Sequence, residues 1–507
     1  MFKRILTIIL TLAVVMPTSI YASQGESGYF GGVSEGVKLP KSLNQQMGSS
    51  TVNEKEILDY KEMIFVTGVP IEVAGTITIE RDDSDVLTDI NGTYTEKYTI
   101  SASSYDGTTT LERVVTLDTM FIKSESDYSY QINRNTAVDS WDETLTVGGT
   151  AYVVDETLSG FGRGENIASY IEDKTPGISY YNGNISYNLI YTLNDVRFRQ
   201  ISVSGGTYGF NQPWSKVENQ KFIMNIQGFG DDDVNMSVEV KPFIKSYKTI
   251  SYDNTDPFPI SFAGSYTQKF ITEGGLEYNI LTNHPELTNK QKKGKLLLTS
   301  TNDFEKLKLP RQMTYVSDNH FAKEDIQKLM SMDIIEESSL DYQPYQAISR
   351  GDFVKILCKA MNIIPDEEFI KDSKKRSIVF ADIDEKHPLY YWTLKAYDTK
   401  LVQGVGLSKF DPEKPLKREE AFTLLIRVIG LERLGANKSP MTKFIDDRDI
   451  APWAKEAIYA GNRIGLFKGN AGKISPKAYV TKAESAAIVN RLIDYLRKDI
   501  VNDYKRY

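Results

Sequence analysis

A pattern that recurs three times in the last third of the chain most strongly limits what this sequence can fold into. Each copy has a short polar segment that carries a basic residue and precedes a stretch of apolar residues at helical spacing. The basic residues are Arg350, Arg418 and Lys482, at nearly equal intervals. Repeats of this kind bury their apolar faces against one another, so the sequence predicts an all-α C-terminal part made of three stacked units.

Each copy also joins its helix-opening segment to an upstream aromatic-aspartate start, with another helical stretch between the two. One such motif alone would be weak, whereas the same ordered set in triplicate is specific. The helix-opening segments are Ile348–Asp352, Leu416–Glu420 and Val480–Glu484, and the aromatic-aspartate starts are Tyr315–Asp318, Phe380–Asp382 and Phe444–Asp446.

This ordered set resembles the S-layer homology domain, a family whose usual complement is three copies. The third copy matches most fully, because Pro452–Ala454, Gly465–Gly469 and Ile474–Pro476 stand between its start and its last helix. The first copy departs from the family pattern with Phe321 where tryptophan is favoured. The resemblance implies a pseudo-threefold helical unit, with repeats at residues 313–364, 376–432 and 440–500.

The second copy departs from the pattern in two places. Lys417 stands where the family has serine or threonine. Trp392 lies fewer residues before Gly404 than Trp453 lies before Gly469. The two tryptophans therefore need not occupy equivalent positions.

The helix starts themselves point to anion binding. Ser349 and Thr481 are good N-cap residues, and each is followed three positions later by an acidic residue, which is the capping-box spacing. This places Arg350 and Lys482 at the first helical position. A cation is disfavoured there, because a helix N-terminus already carries unpaired N–H groups and a partial positive charge. A bound anion would compensate for both, so the three basic residues are candidate anion sites.

The resemblance names the expected ligand. S-layer homology trimers bind secondary cell-wall polysaccharide, which often carries pyruvate ketals whose carboxylates meet the basic residues. The alternative is that these side chains only cap helices and pack the trimer, and for the aspartates we favour that structural role. On the binding interpretation, the resemblance assigns carboxylate binding to Arg350, Arg418 and Lys482. It assigns the shaping of sugar pockets to Asp318, Asp382, Asp446, Trp392 and Trp453.

The first residues predict export. Lys3 and Arg4 precede an apolar run over 5–16 that is short for a bilayer span, so residues 1–22 read as a cleaved signal peptide, with an uncleaved anchor as the alternative. No later stretch is apolar enough to cross a membrane. The single cysteine, Cys358, excludes an internal disulfide framework and is expected to be a buried, inert thiol. We expect a secreted protein on the wall of a bacterium with a Gram-positive type of envelope.

Between the signal and the repeats, the pattern is that of β-strands. A polar lead-in over 23–58 is followed by period-two alternation and by hairpin signals such as Asp106-Gly107 and Asn182-Gly183. We expect an all-β, sandwich-like region of one or two domains, at 59–175 and 176–284, with any boundary near 174–177. A basic run then predicts an exposed linker over 285–312.

Net charge and the few histidines argue against several classes of function for the β region. The net charge of −8 argues against a nucleic-acid binder. The histidines, His284, His320 and His387, do not suggest a catalytic or zinc site, and the acidic runs at 82–89 and 231–233 lack EF-hand spacing. We therefore expect no cofactor, no metal and no enzyme, although a carboxylate pair of the glycosidase type stays open for this region.

Three hypotheses remain for the whole chain. The first is a wall-anchored protein that displays its β region or adheres through it. The second is a structural component of a surface layer, with neighbouring layer proteins as partners. The third is an anchored polysaccharide hydrolase.

Overall fold

A computed structural model describes residues 31–34, 54–81, 89–161, 166–230, 232–253, 265–282, 287–288, 291–298, 301–307, 313–338, 340–374, 379–406, 408–432 and 440–503. The predicted signal peptide, most of the predicted lead-in and His284 lie outside the described residues.

The described part of residues 31–307 is almost entirely β-strand, as the period-two alternation predicts. Most inward-facing residues are apolar and alternate with outward-facing neighbours, as in β5, where Leu111, Val115 and Leu117 are fully buried. The strands are β1 (Gly32–Ser34), β2 (Glu54–Ile64), β3 (Ile71–Arg81), β4 (Asn91–Ser103), β5 (Thr109–Glu125), β6 (Tyr130–Val147), β7 (Thr150–Val154), β8 (Asn166–Lys174), β9 (Ser179–Leu193), β10 (Val196–Gln212), β11 (Ser215–Gly228), β12 (Asn235–Asp253), β13 (Ser265–Ile280), β14 (Lys293–Leu297) and β15 (Thr301–Leu307).

These fifteen described strands form one antiparallel sheet in which nearly every strand pairs with its neighbours in the chain. The sheet curls until β1 and β2 approach β12 to β14, and it encloses one core that contains residues from Val33 to Leu298. The expected boundary near 174–177 is only the turn between β8 and β9, which pair directly. The β region is therefore a single curled sheet rather than two separate sandwiches.

One of the two predicted hairpins is present. Gly107, with φ of +70°, forms the turn between β4 and β5. The prediction of a turn at Asn182-Gly183 is wrong, because both residues lie inside β9 and pair with β8 and β10. A Cβ at Gly183 would lie 2.6 Å from the backbone oxygen of Ser169, so this glycine permits close strand approach.

Residues 285–312, predicted to be a linker, instead contain β14 and β15, which pair with the two halves of β13. Lys293 and Lys295 face solvent, while Leu296 is buried in the sheet core. The last two lysines of the basic run thus lie on the outer face of a short strand. The strand has only five residues, so its alternation of apolar and polar side chains is too short to be recognised within a segment rich in lysine.

The helical part begins after the sheet. Cys358 is buried within it, as predicted, and burial raises the pKa of its thiol. Within the described residues, no helix has the length and apolarity needed to cross a membrane. A short helix within the sheet region is α1 (Glu156–Ser159), and the others are α2 (Lys323–Ser331), α3 (Arg350–Ala360), α4 (Glu367–Ser373), α5 (Tyr390–Asp398), α6 (Arg418–Val428), α7 (Pro452–Arg463), α8 (Lys482–Asp494) and α9 (Ile500–Asp503).

The three helix-opening segments meet in a closed ring of backbone hydrogen bonds. The N–H of Ile348 donates to the oxygen of Val480, that of Val480 to Leu416, and that of Leu416 back to Ile348, at 2.9–3.0 Å. Each of these apolar side chains is buried. The ring brings the starts of α3, α6 and α8 together around one axis.

The sheet and the helices share a second hydrophobic core. Phe210, near the end of β10, and Trp214, in the turn between β10 and β11, are fully buried in the same cluster as residues of α3 and α6. The side chains of Gln212 and Ser215 both donate to the backbone oxygen of Leu496, at 2.8 and 2.7 Å. Apolar burial and hydrogen bonds therefore join the two regions directly.

Candidate functional site

The predicted N-caps set the position of the basic residues. The side chain of Ser349 accepts the backbone N–H of Asp352 at 3.0 Å, and that of Thr481 accepts the N–H of Glu484 at 3.1 Å. At the start of α6, the backbone N–H of Lys417 donates to the carboxylate of Glu420 at 2.9 Å, which is one of the two bonds of a capping box. The other bond is missing, because a lysine side chain cannot accept a hydrogen bond. Arg350, Arg418 and Lys482 accordingly occupy the first positions of α3, α6 and α8.

Arg350 is the basic residue whose charge is least compensated. Its side chain is largely buried, with 8% of the residue exposed, and its Nε has no hydrogen-bond partner in the part of the chain that the structure describes. The guanidinium lies 5.2 Å from the ring centre of Phe410. Burial lowers the pKa of Arg350, with the nearby Glu420 acting in the opposite direction. The Arg350 guanidinium at this helix start is therefore a candidate site for binding an anion.

Arg418 and Lys482 already have acidic neighbours. Arg418 donates from Nε to the backbone oxygen of Ile474 at 2.9 Å and from Nη1 to Glu484 at 3.3 Å. Nζ of Lys482 lies 3.0 Å from both carboxylate oxygens of Glu337. An incoming anion would have to share or exchange these partners.

Two of the predicted aspartates hold loops in place. Asp382 accepts the backbone N–H groups of Phe410 and Asp411, at 2.9 and 2.7 Å. Asp446 accepts those of Ile474 and Ser475, also at 2.9 and 2.7 Å. Burial acts to raise the pKa of Asp382, but the backbone donors outweigh it and hold the pKa below its ordinary value.

Each of these loops faces a basic residue from the preceding helix-opening segment. The loop held by Asp382 presents the Phe410 ring to Arg350, and the loop held by Asp446 presents the Ile474 oxygen to Arg418. The aspartates therefore hold the loop opposite each basic residue. This role is structural but differs from the helix capping expected from the sequence, because each side chain accepts N–H groups of a loop 28 and 29 residues further along the chain. The structure thus brings four of the predicted residues together in two pairs.

Asp318 differs from the other two aspartates. Its side chain is 95% exposed and pairs with Lys323 at 2.7 Å, a contact that lowers its pKa. Within the described ranges, it holds no loop against Lys482. The wall opposite Lys482 is supplied instead by Glu337 and by the ring of Tyr342, 6.0 Å from Nζ.

The two predicted tryptophans occupy different environments. Trp392 is partly buried against the helical core, with Nζ of Lys355 5.6 Å from its ring centre. Trp453, in the first turn of α7, is 57% exposed. Only Trp453 therefore offers a free aromatic face.

The register of the helix ends explains this difference. The N–H of Leu401 donates to the oxygen of Ala396, as the N–H of Leu466 does to Gly461. Aligned on these bonds, the counterpart of Trp453 in the second copy is Pro388. The unequal tryptophan-to-glycine spacing in the sequence already pointed to this mismatch.

Sequence reasoning missed two features of the site. Glu337 is paired with a residue 145 positions away, and no local pattern signals such a contact. The turn Ser126–Ser129 of the sheet lies beside Trp453 in one cleft. Both arise from the way the ring and the sheet close on each other. Among the described residues, no three His, Cys, Asp or Glu side chains form a group suited to a metal ion.

Comparison with known proteins identifies one domain within the helical part. Residues 443–486 match the family model of the S-layer homology domain. The chain is 28% identical over 196 residues to exoglucanase XynX of Acetivibrio thermocellus, covering 37% of this chain and 17% of that protein. It is 26% identical over 187 residues to an amylopullulanase of Thermoanaerobacterium thermosulfurigenes, covering 35% and 9%.

A third relative is a surface-layer 125 kDa protein of Lysinibacillus sphaericus, which is 25% identical over 179 residues. That match covers 34% of this chain and 14% of the relative. The chain therefore spans less than a fifth of the length of each of these three relatives. These matches therefore show a likeness over about a third of this chain to proteins of different names.

Proposed function

We propose that this cell-surface protein, which carries an S-layer homology domain and is anchored to the cell wall, binds an acidic wall polysaccharide through the basic residues that open α3, α6 and α8. The observation that carries the proposal is the buried Nε of Arg350 at the start of α3, which has no hydrogen-bond partner among the described residues. Such a group destabilises the protein unless an anion meets it, because the helix dipole and the cation repel each other.

The ring geometry supports three sites acting together. On this proposal, the first two helix-opening segments belong to S-layer homology repeats like the third, and together they form a pseudo-threefold unit. Carboxylates of the polymer would bind Arg350 directly. At the other two sites they would displace Glu484 from Arg418 and Glu337 from Lys482. Sites that bind neighbouring sugars of one polymer would raise retention through effective concentration.

The role that we propose for the sheet region is surface display or adhesion. The surface-layer relative favours a second candidate, in which the sheet mediates lateral assembly within a layer. Self-assembly of the purified chain into sheets, seen by electron microscopy, would support this second candidate. The two relatives named as enzymes suggest a third candidate, an anchored polysaccharide hydrolase. Release of reducing sugar from wall or plant polymers would support this third candidate.

Co-sedimentation with purified walls tests the anchoring proposal. The full secreted chain should sediment with native walls and remain in solution with walls stripped of their polysaccharide. The double change Arg418→Ala and Lys482→Ala should weaken retention, whereas Arg448→Ala, an exposed arginine on the same S-layer homology domain, should not. Equal retention on stripped walls would overturn the proposal.

A further inference from the structure

A cleft of about 410 Å³ lies where the sheet meets the helices. One wall is the turn Ser126–Ser129, and the opposite wall contains Arg427, Trp453 and Glu456 from α6 and α7. This volume falls within the roughly 300–1,000 Å³ typical of small-molecule sites. The cleft is separate from the ring of helix starts, and of the eight predicted site residues it includes only Trp453.

The walls of the cleft are held in place by contacts between the two regions. Nζ of Lys400 donates to the backbone oxygen of Ser126 at 2.9 Å, and Nε2 of Gln403 donates to that of Asp127 at 3.1 Å. A preformed cleft binds a ligand without the cost of ordering its own walls.

Trp453 supplies a flat apolar surface in this cleft. It is 57% exposed in the first turn of α7, so part of the indole is open to a ligand. Sugar rings have one face of C–H groups that can stack on an indole in the way that other apolar groups do. The counterpart of Trp453 in the first copy, Phe321, is 68% exposed but does not line this cleft, and the counterpart in the second copy is Pro388.

The charges around Trp453 determine which sugar suits the cleft. Carboxylates outnumber cations among its described lining residues, where Arg427 is the single cation. That cation is already bonded to Glu432 at 3.2 Å and stacked on Tyr128 at 4.3 Å. An anionic ligand would be repelled, whereas carboxylate oxygens accept hydrogen bonds from sugar hydroxyls. The remaining acidic residues of the lining are Asp127, Asp173 and Glu456.

We propose that this cleft binds an uncharged sugar residue of the wall polysaccharide, with its ring on Trp453 and its hydroxyls donating to carboxylates such as Asp127. The sheet region thereby takes part in anchoring and is not only displayed. This inference rests on the proposed function, since the polymer is the same. It adds a subsite for a different, neutral sugar.

Calorimetric titration of the full secreted chain tests this subsite. The probe is polysaccharide released from native walls, used intact and after mild acid has removed its acidic substituents. Trp453→Ala should weaken binding of both forms roughly tenfold, and Asp127→Ala should weaken both by a smaller factor, because each removes contacts to a neutral sugar. Trp453→Phe keeps an aromatic face and should bind better than Trp453→Ala.

Tyr105→Ala is the matched control, since it removes a fully exposed aromatic ring from another hairpin, and it should bind both forms like the parent. Arg350→Met should weaken only the intact, acidic form. If Arg350→Met has no effect while Trp453→Ala weakens both forms, the anion sites fail and the neutral subsite stands. The inference is overturned if Trp453→Ala, with an unchanged melting temperature, binds the acid-treated polymer like the parent, or if the parent does not bind that polymer.

Discussion

Nε1 of Trp214, in the sheet region, donates a 2.8 Å hydrogen bond to the backbone oxygen of Ala360, at the end of α3. The indole is fully buried in the core that the sheet and helices share. A display region and an anchoring region could be separate domains joined by a flexible linker. Here the two regions are packed directly against each other, so the sheet is held in a set orientation to the ring.

We therefore expect the sheet and the helices to unfold together. Trp214→Ala should lower the free energy of unfolding by about 3–5 kcal/mol, because it leaves a large cavity in the shared core. Trp214→Phe, which removes only the hydrogen bond and part of the ring, should have a smaller effect. Far-UV and near-UV circular dichroism during thermal unfolding should give one coincident transition. Two separated transitions, with one unaffected by Trp214→Ala, would contradict a shared core.

The sequence predicted the repeating parts of the molecule and missed the contacts between them. Period-two alternation identified the strands, and cap residues such as Ser349 located the helix starts, because both are local signals. The turn assigned to Asn182-Gly183 and the linker assigned to 285–312 were wrong, because strand pairing overrode the local turn and charge signals. Contacts such as Lys482 with Glu337 depend on how distant segments close on each other, which no local pattern encodes.

Asp382 and Asp446 should matter for stability in the same way. Replacing either with Ala leaves two backbone N–H groups without their acceptor and should cost about 1–3 kcal/mol. Asp318→Ala, at an exposed position, should leave the melting temperature unchanged. Equal effects of all three changes would contradict the loop-holding role.

The effect of Asp382 should also depend on pH. Its pKa is lowered in the folded protein, so its stabilising contribution is complete above its unfolded pKa of about 4. That contribution is lost as the pH falls through the folded pKa. The difference in melting temperature between the parent and Asp382→Ala should therefore be largest near pH 7 and shrink below pH 4.

The core of the sheet contains a buried cluster of one cation and two carboxylates. Arg113 bonds Glu143 at 2.8 and 3.0 Å and Glu62 at 3.0 and 3.3 Å. Burial, with the charge of Glu143, raises the pKa of Glu62 against the effect of Arg113. Burial acts to raise the pKa of Glu143 too, but there Arg113 outweighs it and lowers the pKa. The two carboxylates should therefore respond differently to neutralisation.

Glu143→Gln should destabilise the protein by about 3–5 kcal/mol at pH 7, because it takes the main partner from a buried cation. Glu62→Gln should cost much less. Because the folded pKa of Glu62 is raised, the parent loses stability relative to Glu62→Gln as the pH rises above about 4.5, the ordinary value. Chemical denaturation of both variants at pH 4 and pH 7 checks this. A larger loss for Glu62→Gln than for Glu143→Gln at pH 7 would contradict the assignment.

Glu337 competes with the proposed ligand for Lys482. Glu337→Gln removes the carboxylate that now pairs with Nζ, so the lysine should bind an acidic polymer more readily. We expect stronger retention on native walls and a steeper loss of retention with added salt. Glu336→Gln, which alters a neighbouring carboxylate paired with Lys355 and Lys359, is the control and should leave retention unchanged. Weaker retention of Glu337→Gln would indicate that Lys482 has only a structural role.

The central claim is that the cation at the start of α3 is kept for binding at a cost in stability. Arg350→Met, which keeps the apolar part of the side chain and removes the guanidinium, is assayed for its melting temperature and for retention on native walls. We expect the melting temperature to stay the same or rise, because a buried cation whose Nε has no hydrogen-bond partner among the described residues is removed, while retention falls. A lower melting temperature with unchanged retention would show that Arg350 stabilises the fold and would contradict the account.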